Sequence, residues 1–162
     1  MPRVTIIQGV NFGGRITPVV GGSMLHTRDE GDVMLIRDIG YTDPQPGDIV
    51  VLTKEFDAAR GPIVKRIIAV EGQTVDIDYQ TGTVYVDGEA RDEPYLNEPM
   101  EEPWYEDLTS VTVPEGSVFV MGDNRNHSND SRDVTLGTVD TRYLLGKAEF
   151  ICFPFSDFGR IG

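Results

Sequence analysis

Short runs rich in Val, Ile, Thr and Tyr, each stopped by a turn bearing glycine or proline, recur along this chain. Such runs are too brief for helices and hold the residues that suit a pleated, half-buried surface. Val4–Val10 and Ile16–Val20 are separated by Asn11-Phe12-Gly13-Gly14. Val33–Ile36 follows Glu30-Gly31-Asp32, and Asp48–Leu52 follows Pro44-Gln45-Pro46-Gly47. Over Thr74–Tyr79 apolar and polar residues alternate, and Thr83–Val86 answers them across Gln80-Thr81-Gly82, the pattern of a hairpin. Val111–Val113 and Val118–Met121 repeat the device around Pro114-Glu115-Gly116. Alternation with period two and frequent turns predicts a mainly β, antiparallel protein with very little helix. The best helix signal is Val139–Leu145, with Asp140 placed to cap its start and Gly146 to close it.

The segment Arg91–Ser110 is rich in Asp, Glu and Pro and reads as a long surface excursion that buries little. Its aromatics, Tyr95, Trp104 and Tyr105, are expected to pack back onto the sheet.

Charge and cysteine content narrow the chemistry. Fourteen basic against 27 acidic residues leave a formal net charge of -13, which repels phosphate backbones, so nucleic acid is not expected as a partner. The single cysteine, Cys152, sits beside Phe150, Ile151 and Phe153 as a core residue would. One cysteine makes neither an intrachain disulfide nor a cysteine zinc cluster, and no metal or cofactor is expected. No stretch approaches the roughly 20 apolar residues of a membrane helix. The first residues, Met1 to Val10, lack the apolar length of a signal sequence and read as a strand, or as the place where something longer was cut away.

Three stretches carry groups that could do chemistry. Gly21-Gly22-Ser23-Met24-Leu25-His26-Thr27 presents a serine after a flexible pair of glycines. Pro62 to Val70 is an apolar run holding Lys65, and Met121 to Arg132 is dense in hydrogen-bonding groups. A serine hydroxyl needs a base to become a nucleophile. The two histidines, His26 and His127, sit in no recognisable Ser-His-acid arrangement. A lysine substitutes only if its pKa falls from about 10.4, which burial among apolar groups can bring about. Ile63, Val64, Ile67 and Ile68 flank Lys65. In a strand Lys65 and Arg66 point to opposite faces, so one can meet the core while the other stays solvated. From local sequence alone, an amphipathic strand whose Lys65 reaches water is the more ordinary reading.

The order of these stretches resembles bacterial type I signal peptidases, the membrane-associated Ser/Lys endopeptidases of protein secretion. Ser23-Met24-Leu25-His26-Thr27 is similar to that family's Ser-Met-x-Pro-Thr box, with His26 in place of proline. Pro46-Gly47-Asp48-Ile49-Val50-Val51 resembles its Gly-Asp-aliphatic box, and Val64-Lys65-Arg66-Ile67-Ile68, continuing to Gly72, its lysine box. Gly122-Asp123-Asn124-Arg125, Ser128 and Asp130-Ser131-Arg132 follow its last box at its spacing. The likeness runs from Ile16 to about Phe155.

The resemblance implies a serine endopeptidase that removes signal peptides from exported preproteins, cutting after small residues. Ser23 would be the nucleophile and Lys65 the general base. Ser128 would orient the lysine, with Asp130 and Arg132 bracing the loop as an ion pair. The Ser23 backbone N–H would serve the oxyanion, and Gly21 stands where some members place a second, hydroxyl donor. Val19, Met24, Ile63 and Val64 are the residues expected to line the pockets for small side chains. The fold implied is a core lobe of about residues 1–74 and 115–162, with a smaller β lobe inserted at about 75–114.

Signal peptides are the expected partners, with the membrane surface as a further one in an anchored parent on the extracytoplasmic face of the plasma membrane. His26 and Arg28 depart from the family's proline and leucine and make this surface more polar. They fit a solubilised variant or a catalytically silent β scaffold that binds peptides. A self-cleaving Ser/Lys protease of the SOS-repressor type is a weaker alternative, since no Ala-Gly or Cys-Gly dipeptide precedes Ser23.

Overall fold

The structure, a computed structural model, describes residues 14–18, 24, 33–37, 41–59, 61–96, 98–153 and 159–160. The strand expected over Val4–Val10, the residues Val19, Ser23, His26 and Arg28, and the side-chain packing expected for Cys152 lie outside the described residues. The protein is mainly β, with two antiparallel sheets.

The larger sheet has eight strands. β1 (Gly14–Pro18) pairs with β2 (Val33–Arg37), and β2 with the long β11 (Leu144–Phe153). β11 pairs onward with β3 (Ile49–Leu52), β3 with β4 (Ile63–Val70), β4 with β9 (Ser117–Met121), and β9 with β10 (Val139–Asp140). The short β12 (Gly159–Arg160) adds to β11. The smaller sheet has four strands in the order β7 (Glu89–Ala90), β6 (Thr83–Val86), β5 (Thr74–Asp78) and β8 (Ser110–Thr112).

The burial pattern follows from the period of two. All four residues of β3 are buried, because both of its faces are covered. Val50 and Leu52 enter one cluster with Ile67, Val118, Val120, Leu136 and Val139. Ile49 and Val51 enter another with Met24, Val64 and Ala148. The smaller sheet buries one face only: Val75, Ile77, Val84 and Val86 pack on Ile68, Phe119 and Met121 of the larger sheet. Each such side chain contributes about 1.5–3 kcal/mol. This face joins the two sheets and fixes the loop between β9 and β10 over β4.

The hairpin of β5 and β6 forms in the expected register, Val75 opposite Val86 and Ile77 opposite Val84. The second expected hairpin does not. β8 pairs with β5 in the smaller sheet, while β9 lies between β4 and β10 in the larger one. The turn at Pro114–Gly116 therefore carries the chain between sheets.

The helix expected over Val139–Leu145 is replaced by a strand, one 3-10 turn and another strand. Val139 pairs with Val118, and Leu144 already pairs with Leu52, which leaves Thr141–Tyr143 for a single turn. Asp140 does cap that turn, accepting from the Arg142 N–H at 2.9 Å.

Candidate active site

Lys65 lies in the middle of β4, flanked by β3 and β9, and is 3% exposed. The solvated Lys65 that local sequence favours is thus replaced by a buried one, because both neighbouring strands are themselves covered. Its Nζ donates to Ser128 Oγ at 3.0 Å. Ser128 Oγ donates in turn to Asp130 Oδ2 at 2.8 Å. Since that hydroxyl proton is committed to the carboxylate, Ser128 can only accept from the amine. A neutral Lys65 then keeps its lone pair for another partner.

Asp130 and Arg132 are both fully buried. Arg132 Nε meets Asp130 Oδ1 at 2.8 Å and Nη2 meets Oδ2 at 2.9 Å, a bidentate pair. The Gly122 N–H also donates to Asp130 Oδ2, at 2.9 Å. Ser131 exchanges hydrogen bonds with the Val120 backbone, so the loop is stitched to β9 just ahead of Gly122.

Burial pushes the Lys65 amine down to about 8, the charges of Asp130 and Asp123 restraining the fall and that of Arg132 adding to it. Burial alone would raise Asp130. The charge and hydrogen bonds of Arg132, with Lys65 and the Gly122 N–H, overcome it and hold the carboxyl at about 2.

Arg66 is also buried, contrary to the expectation that one of the two basic residues stays solvated. Its guanidinium pairs with Asp123 through two bonds of 2.8 Å, donates to the Gly47 carbonyl at 2.9 Å and stacks on the Tyr95 ring at 4.0 Å. The Gly-Asp-aliphatic stretch, the lysine strand and the Gly-Asp-Asn-Arg loop are thereby joined through one side chain. Removing either partner of such a buried pair leaves an uncompensated charge worth about 3–5 kcal/mol.

Of the residues expected to line a pocket, Met24 and Val64 fall in one buried cluster. Ile63 alternates with Val64 along the strand and packs on the opposite cluster. The Asp123 N–H reaches the Met24 sulfur at 3.4 Å, which sets the residue following Ser23 against the loop that carries Ser128.

The excursion between β7 and β8 takes a larger part than its composition suggests. It runs as a strap along the site loop, with Arg125 held bidentately by Glu93 at 2.7 and 3.0 Å. Asn126 bonds to Glu98, Pro99 and Glu101, and the Tyr105 hydroxyl donates to the Ser128 carbonyl at 2.9 Å. Met100 within it is 2% exposed. Tyr95 and Tyr105 pack inward, but Trp104 is 81% exposed and meets only the edge of Tyr105, with ring centroids 5.4 Å apart, among the described contacts. Glu93, Tyr95 and Tyr105 were not legible as site residues; the one hint was a carboxylate-rich segment in a chain whose last box is rich in arginine.

Comparison with known proteins agrees with this arrangement. A family described as signal peptidase, peptidase S26, matches residues 4–153. The chain is 40% identical over 149 residues to the probable signal peptidase I-1 of Synechocystis sp., covering 86% of this chain and 71% of that protein. It is 36% identical over 147 residues to signal peptidase I of Bacillus licheniformis, covering 86% and 76%. The crystal structure of a signal peptidase I from Enterococcus faecalis superposes with a TM-score of 0.53 at 32% identity, over 65% of this chain and 97% of that one. With the order of strands, the buried lysine and these likenesses together, the chain belongs to the signal peptidase family, peptidase S26.

Proposed function

We propose that this chain cleaves signal peptides with Ser23 as nucleophile and Lys65 as general base. The family is one of serine endopeptidases acting on the signal peptides of exported preproteins, and the reading assigns roles within it. The observation that carries it is the Lys65 amine, buried, lowered to about 8 and donating to Ser128 Oγ. In this reading the Ser23 hydroxyl gives its proton to the free lone pair of Lys65 as Oγ bonds to the scissile carbonyl carbon. The resulting ammonium protonates the departing amine nitrogen as the C–N bond breaks, leaving an acyl-enzyme and a neutral lysine. Water then attacks the ester carbonyl, losing its proton to Lys65, and Ser23 leaves with that proton.

Ser128, held by Asp130 and Arg132, keeps the amine aimed, and Met24 and Val64 supply apolar wall for small side chains. The residues of about 75–114 act as an inserted lobe that supports the site loop. The charge of -13 argues against nucleic acid as a partner. The family is membrane-associated, and the reading places the work at the extracytoplasmic face. Among the described residues no helix is long and apolar enough to cross a membrane.

The test is cleavage of a purified preprotein in lipid or detergent, with the new N-terminus sequenced. Ser23→Ala, Lys65→Ala and Lys65→Arg should each abolish cleavage while keeping the fold, the last because a guanidinium does not release its proton. Turnover retained in any of them would remove the dyad as the source of activity, and a wild type that binds the preprotein without cleaving it would leave a peptide-binding scaffold as the reading.

A further inference from the structure

Arg132 commits Nε and Nη2 to Asp130, and Nη2 also reaches the carbonyls of Arg125 at 2.8 Å and Ser128 at 3.3 Å. Its Nη1 is sealed from solvent without a hydrogen-bond partner, and so are the Tyr79 hydroxyl and one oxygen of the Asp107 carboxylate. Buried polar atoms without partners are uncommon, and three such atoms in one region call for an explanation.

The strand registers bring them together. β5 pairs with β8 as Thr74 with Thr112, Val75 with Val111 and Asp76 with Ser110. The ladder continues with the Ile77 N–H on the Thr109 carbonyl at 2.8 Å, and the same register sets Tyr79 opposite Asp107. Asp107 bridges antiparallel to Asp133, the residue after Arg132. Leu108 N–H donates to the Arg132 carbonyl at 2.7 Å and Val134 N–H to the Glu106 carbonyl at 3.2 Å. The Tyr79 hydroxyl, just past the end of β5, therefore stands between a carboxylate of the strap and a buried guanidinium. They are complementary as donor and acceptors. The Tyr79 hydroxyl feels both other groups: burial raises its proton affinity most, Arg132 opposes this and Asp107 adds to it.

We propose that Tyr79 and Asp107 are positioning residues for the lysine base, holding the far end of Arg132 so that its near end keeps the Asp130 carboxylate on Ser128. The smaller sheet and the strap are thereby part of the apparatus that aims Lys65. This rests on reading Lys65 as the base. The charged groups that face Lys65 are Asp130, Arg132 and Asp123. Those that face Arg132 are Asp130, Tyr105 and Tyr79. Tyr79 faces both Asp107 and Arg132, so loss of the Asp107 charge reaches Lys65 through Tyr79 and then Arg132. Once Arg132 loosens, the Asp130 charge beside Lys65 is less neutralised and the ammonium is favoured.

The experiment is a pH titration of the lysine side chains by NMR in the intact protein, run beside kcat/KM on a signal-peptide substrate. Lysine-selective carbon labelling suits it because the chain has three lysines, Lys54, Lys65 and Lys147. In Asp107→Asn the Lys65 midpoint should rise by about half a unit to one unit, lowering kcat near neutral pH about threefold to tenfold with KM unchanged. Tyr79→Phe should act in the same direction by less. The double variant should match Asp107→Asn instead of adding to it, as expected for residues acting as one unit. Unmoved Lys54 and Lys147 signals report that the fold is kept. A Lys65 midpoint unchanged in both single variants overturns the proposal even if activity drops, because a merely structural loss lowers kcat alike at every pH. A wild-type rate that ignores the Lys65 titration would sink the dyad itself, and the NMR midpoints would still decide the role of Tyr79 and Asp107.

Discussion

Lys65 shows how one residue type changes its chemistry with its surroundings. Its aliphatic stem fills a strand position between β3 and β9, and the amine at its end is left with a hydroxyl in place of water. Ser128 is the residue on which the aim of that amine depends, since it alone among the described contacts accepts from Nζ. Ser128→Ala should lower kcat about 10- to 100-fold, the scale of a small misplacement of a reacting group, with little change in KM. Steady-state kinetics on a soluble signal-peptide substrate check this, and an unchanged kcat would show that packing alone aims the lysine. The apolar flanks of Lys65 were legible in sequence; its burial was not. Exposure depends on what covers a strand, and Ser128, which meets the Lys65 amine, lies 63 residues further along the chain. The same holds for Arg66, whose partner Asp123 lies 57 residues away.

At the scale of elements, turns decide which runs pair. The loop joining β5 to β6 has Gly82 at a φ of 68°, where a Cβ would stand 3.1 Å from the Met100 carbonyl oxygen. Glycine is needed there both for the backbone conformation and for the close return of the strap. Gly82→Ala should therefore cost about 1–3 kcal/mol in thermal or urea unfolding, and loosen the strap first. A variant as stable as wild type would show that the strap gives way without cost.

The β5–β6 hairpin was readable because alternation and loop length agree. The following turn at Asp87-Gly88, with φ of 53° and 81°, was equally readable in principle, since Asp-Gly is the pair that such two-residue turns favour. It went unread because β7 has two residues and no apolar pattern. The Pro114–Gly116 turn misled for the opposite reason: its chemistry is that of a hairpin, but the sheets on either side compete for its strands. Strap contacts such as Tyr105 to Ser128 depend on tertiary closure and leave no local trace.

For the whole molecule, the site carries a cost in stability that pH can reveal. The Lys65 pKa is about 8 in the folded protein and about 10.4 in an unfolded chain, so between these values the unfolded state binds the extra proton. Stability should then rise with pH across that window, by on the order of 3 kcal/mol, with the full penalty present below about pH 8. Asp130 works in the other direction at low pH: its contribution is present above about pH 4 and is lost as pH falls toward its folded value of about 2. Burial also raises Tyr79, Tyr95 and Tyr105, which costs stability above about pH 10, so the comparison must be with a matched variant. Urea unfolding of wild type and Lys65→Met between pH 7 and 10 should show the rise in the first and not in the second. Parallel curves would mean that the lysine is not desolvated.

Two sheets, a buried lysine and a strapped loop support one proposal, that folding keeps an easily deprotonated amine ready to act as the general base. The pH dependence of kcat/KM on a soluble signal-peptide substrate tests it most directly. The rate should climb along a single limb with its midpoint near the Lys65 value of about 8 and then level off. A rate that keeps climbing through about pH 10.4, as a solvated lysine would dictate, would contradict it.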